Sequence, residues 1–234
     1  MSAAAPDPRP VCAVVGIGPK NGAAFVRTFH EAGYRVAMLS RSTDLSSRLV
    51  VELGADHARA YACDASSPAA LGDTFRAIES DLGDPEVLVF NAGSGSWKGF
   101  DETSADDLER AFRLNALGLM IAAQAVLPAM RRAGRGAIVV VGATASLRGK
   151  PKTTAFAAAK AAQRSLTQSM ARQFWPEGIH VALLIVDGAI GEAGVDAGKQ
   201  LDPRAIAVAA RDLTRQPPSA WSFEIDLRPK HEPW

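Results

Sequence analysis

The chain has 234 residues and a formal net charge of +1, with 47% hydrophobic and 22% charged residues. That length makes one large domain or two small ones, and such a chain buries about 70% of its unfolded surface without disulfide or metal staples. The near-zero charge argues against a dedicated nucleic-acid binder, and no apolar run approaches the ~20 residues of a membrane span.

Residues 1–10 are Pro-rich, lack the apolar core of a signal peptide, and read as a flexible arm ahead of a single domain over 11–234. Cys12 and Cys63 sit in strand-like runs and read as buried free thiols of a cytoplasmic protein. Residues 11–15 form an apolar, β-branched run followed by a Gly-rich turn. Helical spacing over 23–32 stops at Gly33. A second strand over 34–39 is followed by a helix over 45–53. A weak strand over 58–62 precedes a helix over 68–82 that closes at Gly83. Residues 87–90 are a fourth strand, running into Asn91-Ala92-Gly93. A long helix runs from Ser104 to Arg132, with Thr103 as its N-cap. A fifth strand over 137–141 leads to an Ala-rich helix from Thr154 to Phe174, stopped by Pro176. A sixth strand covers 179–186, a helix 203–213 with Pro at its first position, and a last strand 221–227.

Strands alternating with helices of ten or more residues imply right-handed crossovers and a parallel sheet covered on both faces. The expected fold is α/β: a Rossmann-like, doubly wound, seven-stranded parallel sheet in one domain. Ligands of such sheets lie at the carboxyl ends of the strands, so the residues just after each strand carry the functional argument.

After the first strand stands Gly16-Ile17-Gly18-Pro19-Lys20-Asn21-Gly22, opening a helix. Glycines let a pyrophosphate approach the backbone, and the helix start offers N–H groups and a positive dipole end. The spacing is G-x-G-x-x-x-G rather than G-x-G-x-x-G. Arg41 follows the second strand, where an acidic residue would hold the ribose of NAD; an arginine instead suits the 2′-phosphate of NADP.

With these features, others resemble the short-chain dehydrogenase/reductase family over about residues 11–228. Asp64 follows the third strand, Asn91-Ala92-Gly93 resembles the family's N-A-G, and Asn115 lies mid-helix. Phe156-Ala-Ala-Ala-Lys160 occupies the place of Y-x-x-x-K, and Asp187-Gly188-Ala189-Ile190 that of P-G-x-I. The resemblance implies an oxidoreductase that prefers NADP(H) to NAD(H) and acts on a small carbonyl, alcohol or enone. It implies a cofactor site of Gly16, Gly18, Lys20, Asn21, Gly22, Arg41, Asp64, Asn91, Ala92, Gly93, Lys160, Gly188 and Ile190. The catalytic positions would be Asn115, Lys160, Phe156, Ala143 and Thr144.

Departures from the family pattern are equally specific. Phe156 stands at the tyrosine position, and thirteen residues before it stands Ala143, where the family has serine. Neither exchanges a proton. Thr144 and Ser146 are the nearby hydroxyls, whereas Tyr34 and Tyr61 lie in the first half of the chain. Losing a positioned general acid costs about 10²–10⁴-fold in rate. A slower reductase therefore remains, with a water held by Asn115 and Lys160 delivering the proton. The alternative is a degenerate member that binds a dinucleotide or a partner chain without turnover. Lys20 either pairs with a phosphate or obstructs its approach. Trp97 and Phe100 are candidates for a substrate pocket or for local packing, and residues 188–200 for a lid. Family members pair the two long helices, implying a homodimer or homotetramer through 104–132 and 154–174. The four scattered histidines, the missing G-x-S-x-G and the missing Walker spacing argue against a metal site, an α/β-hydrolase and a P-loop.

Overall fold

The computed structural model describes residues 9–93, 95, 97–192 and 198–232; the arm expected over 1–10 lies almost wholly outside them, as does 193–197 of the expected lid. Strand β1 (Val11–Val15) is buried along its whole length. Val11, Ala13 and Val15 join one apolar cluster, while Cys12 and Val14 join a second. Alternate residues of a strand point to opposite faces, so an unbroken apolar run needs cover on both.

That cover comes from helices on each side. The chain continues through α1 (Asn21–Glu31), β2 (Arg35–Ser40), α2 (Asp44–Leu53), β3 (Ala58–Ala62), α3 (Pro68–Leu82) and β4 (Pro85–Phe90). Then follow α4 (Ala105–Phe112), α5 (Gly118–Ala133), β5 (Gly136–Ala143), α6 (Thr154–Phe174) and β6 (Ile179–Val186). Two short strands, β7 (Ala189–Ile190) and β8 (Gln200–Leu201), precede α7 (Pro203–Leu213) and β9 (Glu224–Leu227). Phe25 and Phe29 of α1, Leu49 of α2 and Ile206 of α7 fill one face of the sheet. Phe75 of α3, Val126 of α5 and Phe174 of α6 fill the other.

The seven-stranded sheet has the order β3-β2-β1-β4-β5-β6-β9 and every pairing in it is parallel. The expected α/β doubly wound single domain is thus the observed one. Strand order reverses between β1 and β4, which opens a crevice above their carboxyl ends.

Three local expectations are corrected. The expected helix from Ser104 to Arg132 is not one α-helix: a π-helical turn over Arg113–Leu117 separates α4 from α5. Its N-cap is Ser104, not Thr103. The Ser104 hydroxyl accepts from Asp107 N–H while the Asp107 carboxylate takes the Ser104 N–H, a reciprocal capping box. Thr103 instead donates its hydroxyl to the Gly99 carbonyl. The last strand begins at Glu224, because Trp221 is drawn aside to stack on His180 at 4.8 Å between ring centroids. The rod Ala105–Ala133 is also long and apolar enough, by length and composition alone, to cross a membrane. Its apolar side is spent on the core: Leu119, Ala122, Val126 and Met130 are buried in the α3–α5–α6 layer.

Candidate active site

Gly16 ends β1 with φ +96°, a conformation that disfavours any side chain. A Cβ there would lie 2.5 Å from the Ala92 nitrogen, so glycine is what lets the turn after β1 close against the segment after β4. The Asn91 amide stitches the two together, donating to the Gly16 carbonyl at 2.6 Å. Gly22 is packed as tightly, since its Cβ would meet Ile17 Cα at 2.7 Å. Gly18 is different: a Cβ there would meet nothing within 4 Å. Of the three glycines, Gly18 is therefore the one facing open space, and Gly16 and Gly22 shape the turn. The start of α1 carries no side-chain cap and no acidic residue in its first turn, which leaves its positive end unneutralised.

Two cavities run along this edge. The first, about 550 Å³, is lined by Gly16, Gly18, Arg41, Asp64, Asn91, Ala92 and Gly93. Ser66 donates from both N–H and hydroxyl to the Asp64 carboxylate, holding its pKa below the usual carboxylate range, with Arg41 adding a smaller pull. The second, about 690 Å³, is lined by Lys20, Asn21, Ala143, Thr144, Phe156, Lys160, Gly188 and Ile190. Asn91 and Gly93 line both, so the cavities meet at the end of β4.

The floor of the second cavity holds a buried charge. Lys160 is 5% exposed; its ammonium donates to the Val141 carbonyl at 2.8 Å and to Gln163 Oε1 at 2.9 Å. Burial lowers its pKa from the usual 10.5 to about 7. An ammonium has three protons, so one N–H remains beyond these two bonds. Gly93 leaves room beside it: a Cβ there would press on Asn115 Oδ1 at 3.2 Å and Lys160 Nζ at 3.4 Å.

Asn115 lies in the π turn, fully buried, and lines neither cavity. Its side-chain N–H donates to the Ala111 carbonyl, and its Oδ1 has no hydrogen-bond partner among the described residues. The sequence leads one to expect Asn115 to hold a water with Lys160; its backbone carbonyl accepts from Gln163 Nε2 at 3.0 Å. Of the two hydroxyls expected near the site, Ser146 is tied to the Ala143 carbonyl at 2.7 Å. Thr144 Oγ1 is buried without a partner among the described residues.

Lys20 turns away from the Arg41 end. It lines the second cavity, donates to the Ile190 carbonyl and lies 3.9 Å from Glu192, so it clasps the segment after β6. Trp97 lines the same cavity with its ring 5.8 Å from that of Phe156, whereas Phe100 is 81% exposed and lines neither cavity. Tyr34 and Tyr61 line neither cavity, and Tyr61 donates to Asp81. Asp187, in the resemblance a departure from proline, uses the N–H that proline lacks to bond Leu227, and its carboxylate pairs with Arg228 at 3.1 Å. Gln163 and this ion pair were not singled out in the sequence. The available signal for Gln163 was a long polar residue on the same helical face as Phe156 and Lys160. Among the described residues no cluster of three His, Cys, Asp or Glu side chains is placed to hold a metal ion.

A glycine turn at the strand-order reversal, with a buried lysine across the crevice, defines the dinucleotide-fold class of α/β proteins. Within it, the family model described as short chain dehydrogenase matches residues 11–191, and the chain belongs to that family. It is 30% identical over 171 residues to a 3-oxoacyl-[acyl-carrier-protein] reductase of Bos taurus, covering 73% of this chain and 72% of the relative. It is 33% identical over 201 residues to a protein of Xanthobacter autotrophicus named inactive 2-(S)-hydroxypropyl-CoM dehydrogenase 2, covering 84% of each. The solved short-chain dehydrogenase from Rhodopseudomonas palustris superposes with TM-score 0.82 at 32% identity, over 94% of this chain and 98% of that one. A metagenomic short-chain oxidoreductase solved with NADP superposes with TM-score 0.83 at 25% identity, over 94% and 97%.

Proposed function

We propose that the protein is an NADP(H)-dependent oxidoreductase for a small carbonyl, alcohol or enone, with Phe156 and Ala143 in the family's tyrosine and serine positions. The observation that carries this reading is the meeting of the two cavities at Gly93. A dinucleotide laid from Arg41 toward Lys160 crosses the open Gly18 turn on its way. The residues fit such a ligand: Gly18 and the uncapped α1 start suit a pyrophosphate, Arg41 a 2′-phosphate and Asp64 an adenine. Asn91–Gly93 suit the adjacent ribose, Lys160 the nicotinamide ribose, and Gly188 and Ile190 the nicotinamide edge. When bound, the nicotinamide supplies or takes the hydride.

The chain's own residues do the rest. The Thr144 hydroxyl, buried beside the cavity without a partner among the described residues, orients the substrate oxygen once it turns outward, a role the sequence spacing assigns to Ala143. Lys160, set near neutrality by burial, holds the proton that this oxygen gains or loses, by way of solvent in the cavity. Phe156, with the exposed Trp97 ring beside it, gives the cavity an apolar wall.

A second reading is favoured by one observation: neither Phe156 nor Ala143 has an exchangeable proton, and one relative is itself named inactive. In that reading the chain binds a dinucleotide or a partner and does not turn over. Titration with NADPH and NADH, followed by fluorescence and melting temperature, separates the possibilities. NADPH is expected to bind at least 10-fold tighter than NADH, the size of one lost charge-assisted contact, and Arg41→Ala to erase that preference. No shift at millimolar NADPH overturns the cofactor reading. Carbonyl reduction that appears only after Phe156→Tyr with Ala143→Ser establishes the non-turnover reading.

The homodimer or homotetramer is also a proposal. Leu108 and Phe112, four residues apart on α4, are each 38% exposed, an apolar pair on a helix otherwise laced with ion pairs. Light scattering at micromolar concentration is expected to return at least a dimer mass; a monomer mass overturns it.

A further inference from the structure

Helix α6 carries a polar stripe on its buried side. Lys160, Gln163 and Thr167 are all inside, and the Thr167 hydroxyl donates to the Gln163 carbonyl. A fully buried carboxamide is costly unless both ends are satisfied. At Gln163 both are, and the partners dictate which way it faces. The Asn115 carbonyl can only accept, so Nε2 points to it at 3.0 Å. Oε1 therefore faces Lys160 at 2.9 Å and can only accept from it. The Asn115 carbonyl lies in the π turn, where the regular i to i+4 ladder is interrupted.

We propose that Gln163 is a positioning residue for the reaction: its carboxamide bridges the Asn115 carbonyl and the Lys160 ammonium, and so aims the remaining N–H of Lys160 into the cavity beside Gly93. The bridge also occupies the place between those two groups where the sequence suggested an ordered water. A carboxamide donates at one end and accepts at the other but does not pass a proton along. Lys160 then exchanges its proton through the cavity and not through the π turn. The two groups that hold the ammonium, Val141 O and Gln163 Oε1, are neutral acceptors, which favours the charged form while burial opposes it. The inference rests on the reading of Lys160 as the residue facing cofactor and substrate.

The test is the titration of Lys160 itself, followed by NMR of lysine labelled at Cε, with the resonance assigned by its absence in Lys160→Met. In Gln163→Met the acceptor is lost, and the midpoint is expected to fall by a unit or more. In Gln163→Glu a carboxylate replaces it, and the midpoint is expected to rise by two units or more. NADPH affinity of Gln163→Met at neutral pH is expected to fall about 10-fold, as the lysine is no longer aimed. A residue with only a packing role would lower the melting temperature and leave the Lys160 midpoint in place; that result in either variant overturns the proposal. The wild-type protein separates the two levels. If it binds no NADPH while both midpoints move, the cofactor reading falls and the bridge stands. If it binds NADPH and neither midpoint moves, the bridge falls alone.

Discussion

Replacing Lys160 by methionine is expected to flatten the rise of stability between pH 7 and pH 10. Burial lowers the folded-state pKa of this amine from its usual 10.5 to about 7. In the unfolded chain it keeps its proton to about pH 10.4. Between those values the unfolded state binds one more proton than the folded state, so wild-type stability climbs with pH across that window. Below about pH 7 the lysine is charged in both states, and the burial cost is present in full. The climb amounts to about 4 kcal/mol from pH 7 to pH 10, an upper figure because a relaxing interior softens it. Methionine has no charge to lose and shows no such climb from this site. It leaves Val141 O and Gln163 Oε1 without their donor, at about 1–3 kcal/mol each, but that cost is the same at every pH. Urea unfolding of both proteins at several pH values in this range is the measurement. Parallel curves would overturn the buried-ammonium account.

The second large effect separates two glycines of one turn. Gly16→Ala is expected to lower the melting temperature by about 10 °C. A Cβ there sits at φ +96° and within 2.5 Å of the Ala92 nitrogen, which is backbone and cannot swing aside. The strain of that φ, at ~1–3 kcal/mol, adds to the cost of prising the ends of β1 and β4 apart, and each kcal/mol is about 2–4 °C at this chain length. Gly18→Ala is expected to leave the melting temperature within a degree or two, since a Cβ there meets nothing within 4 Å. That same open space is where a pyrophosphate would lie, so its NADPH affinity is expected to fall at least 10-fold. Undiminished NADPH binding by a folded Gly18→Ala protein would remove the pyrophosphate from this turn.

The contrast between these glycines shows what was legible before the fold was known. G-x-G-x-x-x-G reads as a turn between a strand and a helix, and it is one. Which glycine serves the fold and which faces open space depends on Ala92, seventy-six residues further along. Lys20 is a similar case. Its position in the turn left open a phosphate contact or an obstruction, and the structure carries it across to Ile190. The hydroxyl question was undecidable from spacing, because Thr144 and Ser146 lie two residues apart. Ser146 is spent on the Ala143 carbonyl and Thr144 is not.

The sequence by itself determined the architecture and the family. Apolar runs too continuous for a one-sided strand, separated by helices of ten or more residues, admit little besides a parallel sheet covered on both faces. The order of the glycine turn, Asn91-Ala92-Gly93, Asn115 and Lys160 then placed the crevice. These are local signals, written in a period of two or of 3.6 and in short spacings. Tertiary structure alone decided the chemistry around Lys160. Phe156 to Lys160 to Gln163 is a four-then-three spacing visible on any helical wheel. Yet that Gln163 is buried, and that it reaches a carbonyl in a π turn forty-eight residues earlier, follows only from packing. A hydrogen bond between residues far apart in the chain leaves no period in the sequence. Burial, which moves the lysine toward neutrality, belongs to the whole fold and not to its neighbours in the chain.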